Sequence, residues 1–224
     1  MNDFETRIAP DTDIVGPGQR VAVEPLEVFL SREPRLAVAF SGGCDSALLL
    51  AAAKLAGCEV RAYLVKTAFQ PDFELADARA VTDALGVPLT VIEADVLAEA
   101  AICANPPDRC RLCKAFIFRA IREAAAADGF TVLVDGTNAT DDPARRPGFA
   151  ALEEAGVVSP LRRAGLTKAN VRAVLAQLEG SFGLDAGALM SAKPSFPCLA
   201  VYVPEGQPID KDSLTAAARA RGLC

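Results

Sequence analysis

Short apolar runs alternate with alanine-rich, amphipathic stretches along most of this chain. Arg35–Phe40 is an apolar run of strand length that ends in a glycine turn, and Ser46–Leu55 behind it is rich in Ala and Leu, which favour helix. The alternation then repeats. Glu59–Lys66 reads as a strand, Phe73–Leu85 as a helix stopped by Gly86, and Leu89–Glu93 as a third strand. Lys114–Ala127 reads as another helix, halted at Asp128-Gly129, and Thr131–Asp135 as a compact strand that meets a second glycine turn, Gly136-Thr137-Asn138. Strands and helices alternating at this spacing predict an α/β fold, a parallel sheet with helices on both faces and ligands at the carboxyl ends of its strands. Both glycine turns fall at such ends. Residues 1–20, polar and broken by Pro and Gly, read as a loose lead-in, and beyond Asp141 the one clear helix runs from Lys168 to Leu178.

Composition narrows the class of function. The chain has 224 residues, just over half of them apolar, enough for a full hydrophobic core. No apolar run reaches the roughly 18 residues of a membrane-spanning helix. Met1–Pro10 carries acids and no apolar stretch, so the expected location is cytoplasmic, without a membrane partner. The net charge of −6 argues against a protein built to grip a nucleic-acid backbone. Histidine is absent, so acid–base work falls to Asp, Glu, Lys, Tyr or Cys. The seven cysteines are odd in number and scattered, which fits reduced thiols better than a disulfide framework.

The first glycine turn, Ser41-Gly42-Gly43-Cys44-Asp45-Ser46, places two glycines and two hydroxyls where a strand gives way to a helix. Free amides at a helix N-terminus attract anions, and glycines let the backbone come close to them. Asp45 beside a polyphosphate would be repulsive unless Mg²⁺ bridges the two or the carboxylate orients the helix start. A Walker Gly-Lys-Ser/Thr ending is missing, so the loop differs from that of the P-loop NTPases. Ser-Gly-Gly-x-Asp-Ser after the first strand resembles the PP-loop of enzymes that cleave ATP between the α and β phosphates.

Cys110 and Cys113 stand three residues apart, just ahead of the predicted helix at Lys114, where amide donors and neighbouring Arg and Lys would favour thiolates. Such a pair suits zinc, an iron–sulfur cluster or redox chemistry. Cys198 follows two prolines in Lys193-Pro194-Ser195-Phe196-Pro197-Cys198. Three thiols and no histidine suggest a 4Fe-4S cluster with one iron open, rather than the closed four-ligand set of structural zinc. Cys44, Cys58, Cys103 and Cys224 read as ordinary apolar residues.

Taken together, these motifs resemble one family, the LarE-type ATP-dependent sulfur transferases of nickel-pincer nucleotide biosynthesis. The resemblance runs from about Arg35 to Gly206, through Asn105-Pro-Pro-Asp-Arg-Cys-Arg-Leu-Cys-Lys114, Asp135-Gly-Thr-Asn138 with Asp141-Asp142, Arg146-Pro147-Gly148, Gly156–Leu161 and Lys193–Ala200. It implies an enzyme that adenylylates a carboxylate of a small pyridinium nucleotide, releases pyrophosphate and then inserts sulfur. It also implies ATP and Mg²⁺ as cofactors and, in members with three cysteines, a 4Fe-4S cluster on Cys110, Cys113 and Cys198. By matched position, Ser41, Gly42, Gly43, Asp45 and Ser46 would hold the ATP phosphates. Gly136, Thr137 and Asn138 would line the nucleotide pocket, and Arg109 and Arg146 would meet anionic substrate groups. Cys198 and Asp45 are the candidate catalytic residues. The divisions it implies are a lead-in over 1–34, a PP-loop domain over 35–165 and a short C-terminal segment over 166–224 that carries the third cysteine.

Where the family continues Cys-Leu-Ala-Ser-Arg-Ile-Pro-Tyr-Gly, this chain has Cys198-Leu-Ala-Val-Tyr-Val-Pro-Glu-Gly206, with Tyr202 in place of Arg. Its end at Cys224 precedes the region that contributes oligomer contacts in the family, which leaves a homo-oligomer as an open expectation. A tRNA thiolation enzyme is the alternative, disfavoured by the acidic balance and the single Cys-x-x-Cys pair. A non-catalytic ATP- or cluster-binding module is the third reading.

Overall fold

The computed structural model describes residues 24–142 and 148–223. Four strands, β1 (Arg35–Ala39), β2 (Glu59–Lys66), β3 (Leu89–Glu93) and β4 (Leu133–Asp135), form one sheet in the order β3-β2-β1-β4, every pair parallel. Val158 extends the β4 edge through a parallel bridge to Val134. The central strands β1 and β2 are apolar on both faces, as strands covered on both sides must be.

Helices cover the two faces as the alternating pattern predicts. On one side lie α1 (Leu26–Arg32), α2 (Cys44–Leu55), α3 (Asp72–Leu85), α7 (Pro160–Arg163) and α8 (Lys168–Ser181), whose core joins Leu30, Leu48, Leu49, Val81, Leu161 and Leu175 to the sheet. On the other, α5 (Arg109–Ala127) and α6 (Gly148–Glu154) pack Phe118, Ile121 and Leu152 over Ala37, Tyr63 and Val65. A third, smaller core forms where the C-terminal stretch folds back. There Leu199, Val203, Ile209 and Leu214 meet Phe69, Val96 and Ile102, and α4 (Ala100–Cys103) and α9 (Lys211–Ala220) flank this layer.

Most boundaries fall where the sequence puts them, and the departures have local causes. Within residues 1–34 the described part holds α1, whose Leu26, Phe29 and Leu30 recur at helical spacing and are buried. Helix α5 begins at Arg109, five residues before the expected Lys114, so Cys110 and Cys113 lie inside the helix rather than ahead of it. Asn105, with φ 54°, turns the chain just past α4, and Pro106-Pro107 then leads into the new helix. The polar Arg109 and Arg111 and the weak helix former Cys110 give no periodic apolar signal, so the first turn is invisible in the sequence.

Helix α8 starts with a reciprocal capping box, in which Thr167 accepts from the Asn170 amide and Asn170 accepts from the Thr167 amide. This cap fixes the turn that carries Lys168. Near its end, the buried Glu179 accepts from the Gly187 amide (2.8 Å), the Leu189 amide (3.0 Å) and the Ser191 hydroxyl (3.1 Å), and so shapes the connection towards Lys193. Thr167→Ala is expected to lower stability in a urea melt by about 1 kcal/mol.

Candidate functional site

The carboxyl ends of β1 and β4 present the two glycine turns side by side. After β1 the chain passes through Gly42, at φ 73° and packed on α3, where an added Cβ would stand 3.0 Å from the Glu74 carbonyl oxygen. Gly43 then caps α2 without a side-chain bond to the first-turn amides, which leaves those donors for an anion. The Ser46 hydroxyl donates to the Gly43 carbonyl (3.1 Å) and accepts from the Ser41 amide (3.3 Å), so the loop is braced from inside. The second turn is pressed against the first. A Cβ on Gly136 would stand 2.7 Å from the Ser46 nitrogen, a distance only glycine permits.

Asp135 accepts from the hydroxyls of Thr137 (2.5 Å) and Ser159 (2.6 Å), which holds the second turn in shape. Asn138 donates from its side chain to Asp45 Oδ1 (3.0 Å), and Lys168 Nζ reaches the other oxygen, Oδ2. Asp45 therefore ties the start of α2 to both the second turn and α8. Lys168 is partly desolvated, which works against its charge, but its bonds to Asp45 and Cys44 outweigh this and raise its pKa. The ammonium stays charged at any physiological pH.

Two cavities open here. One, of about 310 Å³, has an apolar floor of Phe40, Leu64, Val65, Ile117, Phe118 and Ile121, with Ser46, Gly136 and Thr137 at its rim. The other, of about 800 Å³, runs from Gly43 and Asn138 past Lys168 and Lys193 to Pro197, Cys198 and Cys110. They share the walls of Ser41, Asp45, Gln70, Glu74, Lys114 and Asp141. Burial raises the pKa of Glu74, opposed by the charges of Lys193 and Lys66. Lys114 crosses from α5 over Gly148, where an added Cβ would stand 2.5 Å from Lys114 Cδ.

Two of the three candidate thiols, Cys110 and Cys198, line the larger cavity. Asn105 donates through Nδ2 to the carbonyls of Pro204 (2.8 Å) and Val203 (3.3 Å), and its own carbonyl accepts from the Gly206 amide (2.9 Å). Leu199 donates to the Phe69 carbonyl (2.8 Å). These bonds pin the chain on the far side of Cys198 and bring that residue to the start of α5. Arg109, only 8% exposed, points its guanidinium at Cys110 Sγ (3.6 Å) and Cys198 Sγ (4.0 Å). It belongs to neither cavity lining. Cys113 sits one turn further along α5, half-buried against the C-terminal core. Burial pushes its thiol up to about 12, with Cys198 adding to the rise and the Arg109 charge opposing it. The expectation that the helix start favours a thiolate therefore fails for Cys113, because desolvation is the larger effect.

The geometry thus gathers Ser41, Gly43, Asp45, Asn138, Cys110 and Cys198 around one cavity, and sets Ser46, Gly136 and Thr137 on the other. Arg146 lies outside the described residues. Among the described residues, no three Cys, Asp or Glu side chains stand together as a preformed metal site. Glu153 is exposed on α6. The sequence reading missed Lys168, Lys193 and the pinning role of Asn105. For Lys168 the available signal was a cation in the first turn of a capped helix, where the dipole disfavours it without an acidic partner.

Comparisons with known proteins agree with this architecture. The family model described as "Queuosine biosynthesis protein QueC" matches residues 35–119, the segment that carries the first glycine turn and the Cys-x-x-Cys pair. An uncharacterized protein of Synechocystis sp. is 32% identical over 200 residues, covering 88% of this chain and 71% of its own length. The pyridinium-3,5-bisthiocarboxylic acid mononucleotide synthase of Lactiplantibacillus plantarum is 33% identical over 165 residues, covering 73% of this chain and 59% of the synthase. This chain belongs to the LarE-type branch of the PP-loop superfamily. An uncharacterized protein of Methanocaldococcus jannaschii is 30% identical over 147 residues, 66% of this chain and 56% of its own length. The chain thus spans less than two thirds of the length of both the synthase and the archaeal relative. Among the described residues no helix is long and apolar enough to cross a membrane.

Gly136→Ala is expected to destabilise the protein by about 1–3 kcal/mol, read from a urea melt, because the clash is with backbone that cannot rotate away. In metal-free protein at pH 8, alkylation of Cys113 by iodoacetamide is expected to be on the order of a thousandfold slower than that of an exposed thiol. Mass spectrometry of the peptides checks this, and alkylation should accelerate as pH rises towards 12.

Proposed function

We propose that this chain is an ATP-dependent sulfur transferase that adenylylates a carboxylate of a small nucleotide-like substrate and replaces the activated oxygen with sulfur. The observation that carries the reading is the shared cavity: residues of the phosphate loop line the same space as Cys110 and Cys198. An acyl adenylate formed at the loop would have its carbonyl carbon facing a thiol-bearing wall. The identity to a synthase named for a bisthiocarboxylic acid nucleotide supports the same chemistry.

In this reading the smaller cavity takes the adenine on its apolar floor. The amides of Gly43 and of the first turn of α2, with the Ser41 and Ser46 hydroxyls, hold the phosphates that leave as pyrophosphate. Asp45 would carry Mg²⁺, which screens the polyphosphate charge. Since Asn138 and Lys168 occupy the two Asp45 oxygens, the metal and Lys168 are alternatives at Oδ2. Lys168 on α8 and Lys114 on α5 then supply positive charge to a polyanionic substrate.

For sulfur delivery, Cys110 and Cys198 facing one buried guanidinium, with Cys113 one turn further along α5, suit a 4Fe-4S cluster. The donor set is all sulfur, and Arg109 offsets part of its negative charge. Cys110, Cys113 and Cys198 would hold it, and its open iron would supply a site able to carry a sulfide. Cys110 and Cys198 both line the cavity, so a sulfide carried there would face the activated carbon. The acidic balance of the chain and its single Cys-x-x-Cys pair favour a small-molecule acceptor over tRNA.

Oxygen-free purification followed by iron, sulfide and zinc analysis tests the sulfur source. About four irons per chain with labile sulfide, lost in Cys198→Ala, is the expected result, and zinc or no metal would overturn the cluster. Cys198→Ala is also expected to retain ATP–pyrophosphate exchange with a carboxylate substrate while losing thiocarboxylate formation by mass spectrometry. If exchange and sulfur insertion both survive the substitution, Cys198 is not required for sulfur delivery.

A further inference from the structure

Lys193 is held more tightly than a cavity-lining lysine requires. Its ammonium pairs with Asp77 Oδ2 on α3 (2.6 Å), donates to the Gly42 carbonyl of the phosphate loop (3.3 Å) and lies 5.5 Å from the centre of the Phe73 ring. Its backbone is gripped as well. Arg172 on α8 donates to the carbonyls of Ser191 (2.7 Å) and Lys193 (2.6 Å). Lys193 is thus fixed at its main chain from α8 and at its side-chain tip from α3 and the loop.

The segment between Lys193 and Cys198 is stiff. Pro194 and Pro197 flank Ser195-Phe196, and Phe196 packs edge-on against Phe73 at 5.3 Å. Cys198 comes five residues after Lys193, and the Leu199 amide is then tied to the Phe69 carbonyl at 2.8 Å. A displacement of Lys193 therefore passes along a short, proline-braced segment to the sulfur. An anion seated on the Gly42-Gly43 turn lies within reach of the ammonium, and charge–charge attraction exceeds that to a carbonyl.

We propose that Lys193 is a positioning residue that couples the phosphate loop to the Cys198 wall. When a nucleotide polyphosphate occupies the loop, the ammonium turns from Asp77 towards it and, with the Lys193 main chain held by Arg172 and Leu199 held at Phe69, stiffens the 194–198 segment beside the cavity, so that Cys198 is held in one position only when ATP is bound. This rests on the ATP-dependent sulfur-transfer reading above. It adds an order of events: nucleotide first, then ordering of the thiol wall.

Hydrogen exchange on the full chain, with and without α,β-methylene ATP, tests it, because that analogue cannot be cleaved between the α and β phosphates. In the unsubstituted protein the analogue is expected to slow exchange of the 43–46 amides and, by about fivefold or more, that of the 195–201 amides. Lys193→Met keeps the stem over Phe73 and removes the charge. It is expected to keep protection of 43–46 and lose that of 195–201, whereas Lys193→Arg keeps both. If Lys193→Met folds poorly, Asp77→Asn serves as the second arm, with faster exchange at 195–201 expected in the nucleotide-free protein. Protection of 195–201 that persists in Lys193→Met, or that is missing in the unsubstituted protein while 43–46 is protected, overturns the coupling. An analogue that protects neither segment overturns the ATP reading itself, and this proposal with it.

Discussion

The contact between the two glycine turns is the constraint on which the rest of the site depends. Strands β1 and β4 are neighbours and parallel, so the turns that leave their carboxyl ends must share one small space. They can do so only because Gly136 lacks a side chain where Ser46 begins its turn of helix. Once the turns touch, Asn138 reaches Asp45, and Asp45 in turn holds Lys168 at the start of α8. The start of α2, the second turn and α8 are thereby one rigid unit, and Ser41 and Asp45 beside it line both cavities.

Against that unit the thiol wall is assembled from a distant part of the chain. Two devices do this, and neither is a thiol. Asn105 hydrogen-bonds the chain beyond Cys198 at Val203 and Pro204, and Arg109 draws the sulfurs of Cys110 and Cys198 to one buried guanidinium. The small third core of Leu199, Val203, Ile209 and Leu214 on Phe69, Val96 and Ile102 supplies the apolar burial that makes the fold-back favourable. The thiols also differ in surroundings: Cys110 and Cys198 border the cavity, whereas Cys113 is turned towards apolar packing that raises its pKa.

Charge is distributed to match. Lysines 114, 168 and 193 approach the larger cavity from α5, α8 and the C-terminal segment, while Asp45, Glu74 and Asp141 line it too. Two of these lysines are already committed, Lys168 to Asp45 and Lys193 to Asp77. Such pairs keep cations desolvated and in place before a polyanion arrives, and they can exchange partners at small cost when it does. A protein of net charge −6 can thus bring three lysines to one cavity without an excess of basic residues.

The sequence by itself determined the layers, because alternating apolar runs and helical stretches each bury a face locally, and their spacing leaves only a parallel sheet. It also marked the glycine turns and the Cys-x-x-Cys pair, whose residue types carry local chemical meaning. It did not announce the first turn of α5, since Arg109, Cys110 and Arg111 show no apolar periodicity and the turn is imposed by Asn105 and the prolines before it. Only the tertiary structure decided that Lys168 faces Asp45, that Lys193 faces the phosphate loop and that Arg109 faces sulfur. Each of those partnerships joins residues on different elements, or is set by how the elements pack. Side-chain direction across such distances is fixed by the packing of the layers, which no local pattern of residues encodes.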